Sequence, residues 1–117
     1  MTFRFDNITR GTSLGHAIEL AGSSQTRKTG LLKHTSLAPG HGLWIKPCEA
    51  IHTFFMKFAI DVVYIDKKLR VKKVREAIGP WRFSGCLTAH SVIELPVGTI
   101  AATGTVAGDE LTAVSQG

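Results

Sequence analysis

Nowhere in this chain do about 18 consecutive apolar residues occur, so no segment of it can form a helix that spans a bilayer. The first ten positions mix acidic and basic residues with no continuous apolar stretch, which is not the pattern of a secretory leader. The expected compartment is therefore the cytoplasm, where thiols stay reduced. Cysteine is scarce: there are 2, Cys48 and Cys86, without the Cys-x-x-Cys spacing that makes zinc motifs specific. Internal repeats, low-complexity tracts and Pro-, Gly- or Ser-rich linkers are absent, and nothing divides the chain. Also missing are a Gly-x-Gly-x-x-Gly fingerprint, a phosphate loop and a nucleophile-elbow glycine pattern. These absences leave no recognisable catalytic set.

What is present is the composition of an ordinary globular domain: 117 residues, 44% hydrophobic and 20% charged. That length fits one domain over residues 1–117 and buries roughly two-thirds of the unfolded surface, enough for a core without a stapling metal or disulfide. Basic residues outnumber acidic ones, 14 to 9, for a formal net charge of +5. Such a domain attracts anions of several classes. Much of the excess sits in residues 67–75, as Lys67, Lys68, Arg70, Lys72, Lys73 and Arg75.

Glycine punctuates short apolar runs throughout, which favours a β-rich fold. Strands are expected over residues 16–20, 42–45 (stopped by Pro47), 53–58, 59–65, 70–74, 91–95 and 111–114. Ser23 or Ser24 can cap a short helix over residues 25–32, and residues 99–103 suit one helical turn. Residues 60–65 are apolar on both faces apart from Asp61, which predicts a central strand. A turn at residues 66–68 then makes a hairpin. The fold class is mainly β, a compact β-sandwich or barrel-like single domain with one or two short helices.

Several segments together carry a resemblance. They are Gly30-Leu-Leu32, Gly42-Leu-Trp-Ile45, the long run Ile51-His-Thr-Phe-Phe-Met-Lys-Phe-Ala-Ile-Asp-Val-Val-Tyr-Ile-Asp66, Pro80-Trp-Arg82, Val92-Ile-Glu-Leu-Pro-Val-Gly98 and Gly108-Asp109. In that order they resemble the uncharacterised domain of unknown function 192 (DUF192) family, over roughly residues 16–111. The resemblance implies a compact β-sandwich or barrel-like domain and no particular activity. Leu69 stands where the family often has a turn glycine, which predicts a different turn here. Phe58-Ala59 shortens the polar, proline-containing link that many members have after Met-Lys.

Four features are candidates for function. Asp61 is a carboxylate in an apolar strand, costly unless paired or hydrogen-bonded; Lys57, Arg82 and His90 are candidate partners, and loop N–H groups are the structural alternative. Cys48 with His52 and Cys86 with His90 repeat a Cys-x-x-x-His spacing, which would suit zinc if all four met, although buried cysteine is the simpler expectation. Trp81 in a Pro80-Trp-Arg82 loop, with His52, Lys57, Asp61 and Arg82, makes a polar and aromatic rim suited to an anionic or ring-bearing ligand or a partner protein. Phe54 and Phe55, adjacent in an expected strand, point to opposite faces. The basic run places Lys68, Arg70 and Lys72 on one strand face, with Leu69, Val71 and Lys73 opposite. It can meet phosphates, but its simpler role is to keep an edge strand from pairing with another molecule.

The leading expectation is a non-catalytic binding module with no cofactor. A metal- or thiol-dependent enzyme built on Cys48, His52, Cys86 and His90 is the rival from another class. Nucleic-acid binding through residues 67–75 is the third reading.

Overall fold

A computed structural model of the chain describes residues 1–23, 31 and 34–116. Among the described residues there are nine strands: β1 (Thr2–Asn7), β2 (Thr12–Ala21), β3 (His41–Ile45), β4 (Ala50–His52), β5 (Ile60–Ile65), β6 (Val71–Ile78), β7 (Phe83–Gly85), β8 (Ser91–Pro96) and β9 (Leu111–Ser115). One short helix among the described residues, α1 (Thr99–Thr103), lies between the last two strands. The expected helix over residues 25–32 lies outside the described residues, apart from Leu31.

Seven strands form one curled sheet in the order β6-β5-β8-β3-β2-β1-β9, and β4 pairs with β7 in a separate small sheet. Within the large sheet only β2 and β3 run parallel. The curl brings its two ends together. Val71 N–H donates to Asp109 O, Gly108 N–H to Val71 O and Leu111 N–H to Leu69 O, at 2.8, 2.8 and 3.0 Å. An Arg70–Glu110 ion pair at 2.8 Å lies across the same junction. The result is a half-barrel, mainly β as expected.

Two apolar layers follow from strand alternation, because successive side chains point to opposite faces. Inside the curl, Phe5, Ile18, Trp44, Val63, Ile93 and Leu95 pack together, with Ile100 of α1 as a plug. On the outer face, Leu43, Ile45, Ile60, Val62, Tyr64 and Val92 are covered by Ile51 and Met56 from the small-sheet region. β5 is therefore buried on both faces, as its composition predicts. It is nevertheless one strand in from the β6 edge, and the middle of the order is β3.

Two expectations are corrected. Residues 53–58 form a turn, not a strand: Met56 N–H donates to Thr53 O at 3.1 Å, and Phe55 has φ 67°. Leu69, in the hairpin turn, takes φ 65°, the left-handed conformation a glycine would adopt more cheaply. Lys73 does not share a face with Val71, because the β5–β6 register shifts between Tyr64 and Ile65. Val71 joins the interior, whereas Lys73 Nζ lies 5.8 Å from the Tyr64 ring centroid and donates to Gly85 O at 2.7 Å. Strands β1, β4 and β7 were not anticipated.

A candidate aromatic binding surface

Strands β4 and β7 pair as Ala50↔Gly85, Ile51↔Ser84 and His52↔Phe83. Alternation turns Ile51 and Ser84 inward and leaves His52 and Phe83 together on the exposed face. Inside, Tyr64 OH donates to Ser84 Oγ at 2.9 Å, and burial pushes the Tyr64 pKa up. This small sheet is thus pinned to β5 beneath it.

The chain beyond His52 is fixed by Thr53, whose side chain is wholly buried. Its hydroxyl donates to Gly79 O at 2.6 Å and accepts the Arg82 N–H at 2.9 Å. Its backbone donates to Arg82 O and accepts the Trp81 N–H, at 2.8 and 3.0 Å. One threonine therefore clamps the turn after β4 to the turn before β7.

Those two turns carry the aromatics. Pro80 sets up a turn whose next position, Trp81, takes φ 63°, where glycine is usual. Phe55 does the same at φ 67° in the opposing turn. The Phe55 and Trp81 rings meet edge-on at 4.6 Å, Phe54 stacks on Trp81 at 5.7 Å, and His52 stacks on Phe54 at 5.0 Å. Phe54 and Phe55 thus both meet Trp81 instead of facing opposite ways. Phe55, Trp81 and Phe83 remain 68%, 57% and 69% exposed. Lys57 and Arg82 are exposed beside them.

The expected rim residues divide. His52, Lys57, Trp81 and Arg82 belong to the two turns and the small sheet, but Asp61 is fully buried. Asp61 Oδ1 accepts the Ala77 N–H at 2.9 Å, and Oδ2 accepts the Gly98 and Ile100 N–H groups at 3.1 and 2.9 Å. None of Lys57, Arg82 or His90 bonds to it. The carboxylate ties the left-handed Ala77 of β6 to the start of α1, whose own N-cap, Gly98, has no side chain to offer.

The two Cys-x-x-x-His segments lie against each other through the backbone, Cys48 N–H donating to His90 O and Cys86 N–H to Glu49 O, both at 2.8 Å. Cys48 Sγ donates to Ala50 O at 3.0 Å, and Cys86 Sγ lies 3.4 Å from Thr88 Oγ1. Both half-buried thiols pack on the outer apolar layer. Among the described residues no group of three or more His, Cys, Asp and Glu is placed to hold a metal ion. In the basic run, Lys73 is spent on Gly85 O and Arg70 on Glu110.

Phe83, one of the aromatics of the sequence but not among the expected rim residues, joins the exposed aromatic set through its pairing with His52. Glu94 is buried in β8 between Val62 and Leu43, and burial raises its pKa to about 7. Like Asp61, Glu94 is a carboxylate inside an apolar run, Val92-Ile-Glu94-Leu95, and is legible in the sequence on the same ground.

A model of the family described as an uncharacterised ACR matches residues 6–113. Among solved structures, a candidate transcription regulator from Sinorhizobium meliloti has a TM-score of 0.81 at 22% identity, covering 95% of this chain and 91% of that one. A protein of unknown function from Novosphingobium aromaticivorans has a TM-score of 0.80 at 18% identity, covering 94% and 82%. Likeness at such identities shows the fold alone. No curated protein matches the chain.

Proposed function

The chain belongs to the DUF192 family, and from that premise we propose that it is a non-catalytic binding module whose aromatic surface takes an acidic, apolar-bearing peptide segment of a partner protein. One observation carries the reading. Phe55 and Trp81, both more than half exposed, are held in left-handed backbone by a buried threonine clamp. A bulky residue in that conformation costs about 1–2 kcal/mol, and exposed rings return little of it by burial. Strain of this kind clusters at functional surfaces.

The chemistry of the partner follows from the surroundings. Small-molecule sites are concave and bury most of their ligand. Rings left this open suit a macromolecular partner, and Trp, Phe and Arg are enriched in protein interfaces. Lys57, Arg82 and the net charge of +5 favour an acidic one.

The two indoles separate the outcomes. Peptides combining Asp or Glu with Leu or Phe are titrated against isotope-labelled protein, following the Trp81 and Trp44 indole N–H signals. A saturable shift at Trp81, with Trp44 still and affinity at least tenfold weaker in Trp81→Ala, is expected. Silence of Trp81 toward every peptide overturns the proposal. Shifts with neutral saccharides instead would also overturn it, as would shifts on protein dilution alone, which make a second copy the occupant.

A further inference from the structure

Toward the other end of β5 lies a cleft of about 250 Å³, between the C-terminal ends of β3 and β5 and the start of β8. Trp44, Lys46, Asp66, Lys67, His90 and Ser91 line it. Neither the aromatic surface nor the peptide reading involves these residues.

The charges in the cleft are unbalanced. Lys46 and Lys67 stand against one carboxylate, Asp66. That carboxylate is already engaged by its own turn, Oδ1 accepting the Lys68 and Arg70 N–H groups at 2.9 Å each. Among the described residues, neither Lys46 nor Lys67 has an ion-pair partner. Lys46 is nonetheless held in place, with Nζ 4.9 Å from the Trp44 ring centroid. Trp44 is itself immobilised edge-on against Phe3 and Phe5, at 5.2 and 4.9 Å. His90 is anchored through its backbone, donating to Ile65 O and accepting the Cys48 N–H, both at 2.8 Å.

An independent observation comes from Ser91, which is 1% exposed. Its hydroxyl accepts the Trp44 indole N–H at 2.9 Å. That bond uses a lone pair and leaves the Ser91 proton to be donated, and among the described residues no acceptor takes it. A buried hydroxyl in the wall of a cationic cleft with an unspent proton is a donor awaiting an oxygen.

We propose that this cleft binds a small phosphate-type oxyanion, free or as the head of a small phosphomonoester, through Ser91 Oγ, the His90 ring, Lys46 and Lys67. Size limits the occupant. The volume is about eight times a water's share of the liquid and below the roughly 300–1,000 Å³ of drug-sized sites, so a nucleotide cofactor does not fit inside. Valence selects phosphate over carboxylate. Two ammonium groups and two further donors match a multiply charged anion with several oxygens better than a planar carboxylate with two.

Inorganic phosphate is titrated at constant ionic strength, with chloride replaced stepwise and the Trp44 indole N–H and the His90 and Ser91 amides followed by NMR. A saturable shift at Trp44, with Trp81 still, is expected. The Lys46→Met, Lys67→Met double variant alters exposed side chains only; it should keep the native spectrum and weaken binding at least tenfold. Phosphoserine in place of phosphate separates a phosphomonoester from the free ion by its greater affinity, and either order supports the site. Four results overturn the proposal: linear shifts shared with chloride, tighter binding of acetate than of phosphate, undiminished affinity in the double variant, or shifts confined to residues 70–75.

Discussion

Replacing Asp61 with alanine withdraws one carboxylate from three backbone N–H groups at once: those of Ala77, Gly98 and Ile100. All three lie where the backbone has no regular partner to offer, at a bulge in β6 and at the start of a helix whose cap is glycine. Leaving a buried donor unsatisfied costs about 1–3 kcal/mol, so three give about 3–9 kcal/mol before relaxation. Against this stands the desolvation of the carboxylate, several kcal/mol in the wild type, which the substitution relieves. The net expectation is a loss of about 4 kcal/mol, a large share of the roughly 5–15 kcal/mol that holds such a domain. Asp61→Asn keeps one accepting oxygen but turns an NH2 toward the remaining donors, so a loss of about 2–3 kcal/mol is expected. Urea unfolding at neutral pH, followed by circular dichroism and by the buried Trp44, measures both. Amide exchange at Ala77, Gly98 and Ile100 should accelerate well beyond the global change. A loss under about 1 kcal/mol for Asp61→Ala, with those amides still protected, would refute the structural role assigned here. It would return Asp61 to the candidates for chemistry.

Glu94 makes the opposite kind of prediction. Its pKa is about 7 in the folded protein against an ordinary 4.5, so the native state keeps a proton that the unfolded chain releases. The stabilisation is therefore full below pH 4.5 and drains away as pH rises to about 7, by roughly 3 kcal/mol in all. Relative to Glu94→Gln, the wild type should lose that amount between pH 4.5 and 7.5 in urea titrations; parallel pH profiles would contradict it. Phe55→Gly and Trp81→Gly relieve left-handed strain and sacrifice little burial, so each should leave stability within about 1 kcal/mol of wild type, where a buried aromatic would cost about 3–5 kcal/mol.

How far the residues announced this structure depends on which interactions decide each position. β5 was legible because apolar residues on both of its faces admit only a doubly covered strand. Residues 53–58 were misread because β-branched and aromatic residues suit both strands and exposed recognition turns; what settles the matter is the Thr53 clamp, whose partners lie 26 and 29 positions away. Lys73 was placed on the wrong face by a register shift that no local pattern signals. Asp61 was rightly marked as needing partners, and of the alternatives weighed for it the loop N–H groups are the ones it meets. Which N–H groups these are leaves no trace in the side-chain alphabet. The cleft beside Ser91 was invisible for a related reason: its donors come from the ends of three strands that only folding brings together.

The pairing of β9 with β1 bears on how the polypeptide reaches this shape. Phe3 lies opposite Ser115, so within this domain some of the residues made first wait for some of those made last. The half-barrel cannot close its seam at Leu69–Val71 until residues 108–111 have emerged, and the parallel β2–β3 pair adds a further long-range closure. Closure must therefore follow synthesis of nearly the whole domain. Until then β1 presents an open, aromatic-bearing edge, the interval in which a nascent chain is most exposed to misassociation. The same adjacency means that a short linker joining residues 1 and 116, with new ends cut at an exposed turn, should yield a circular permutant whose strand order is unchanged.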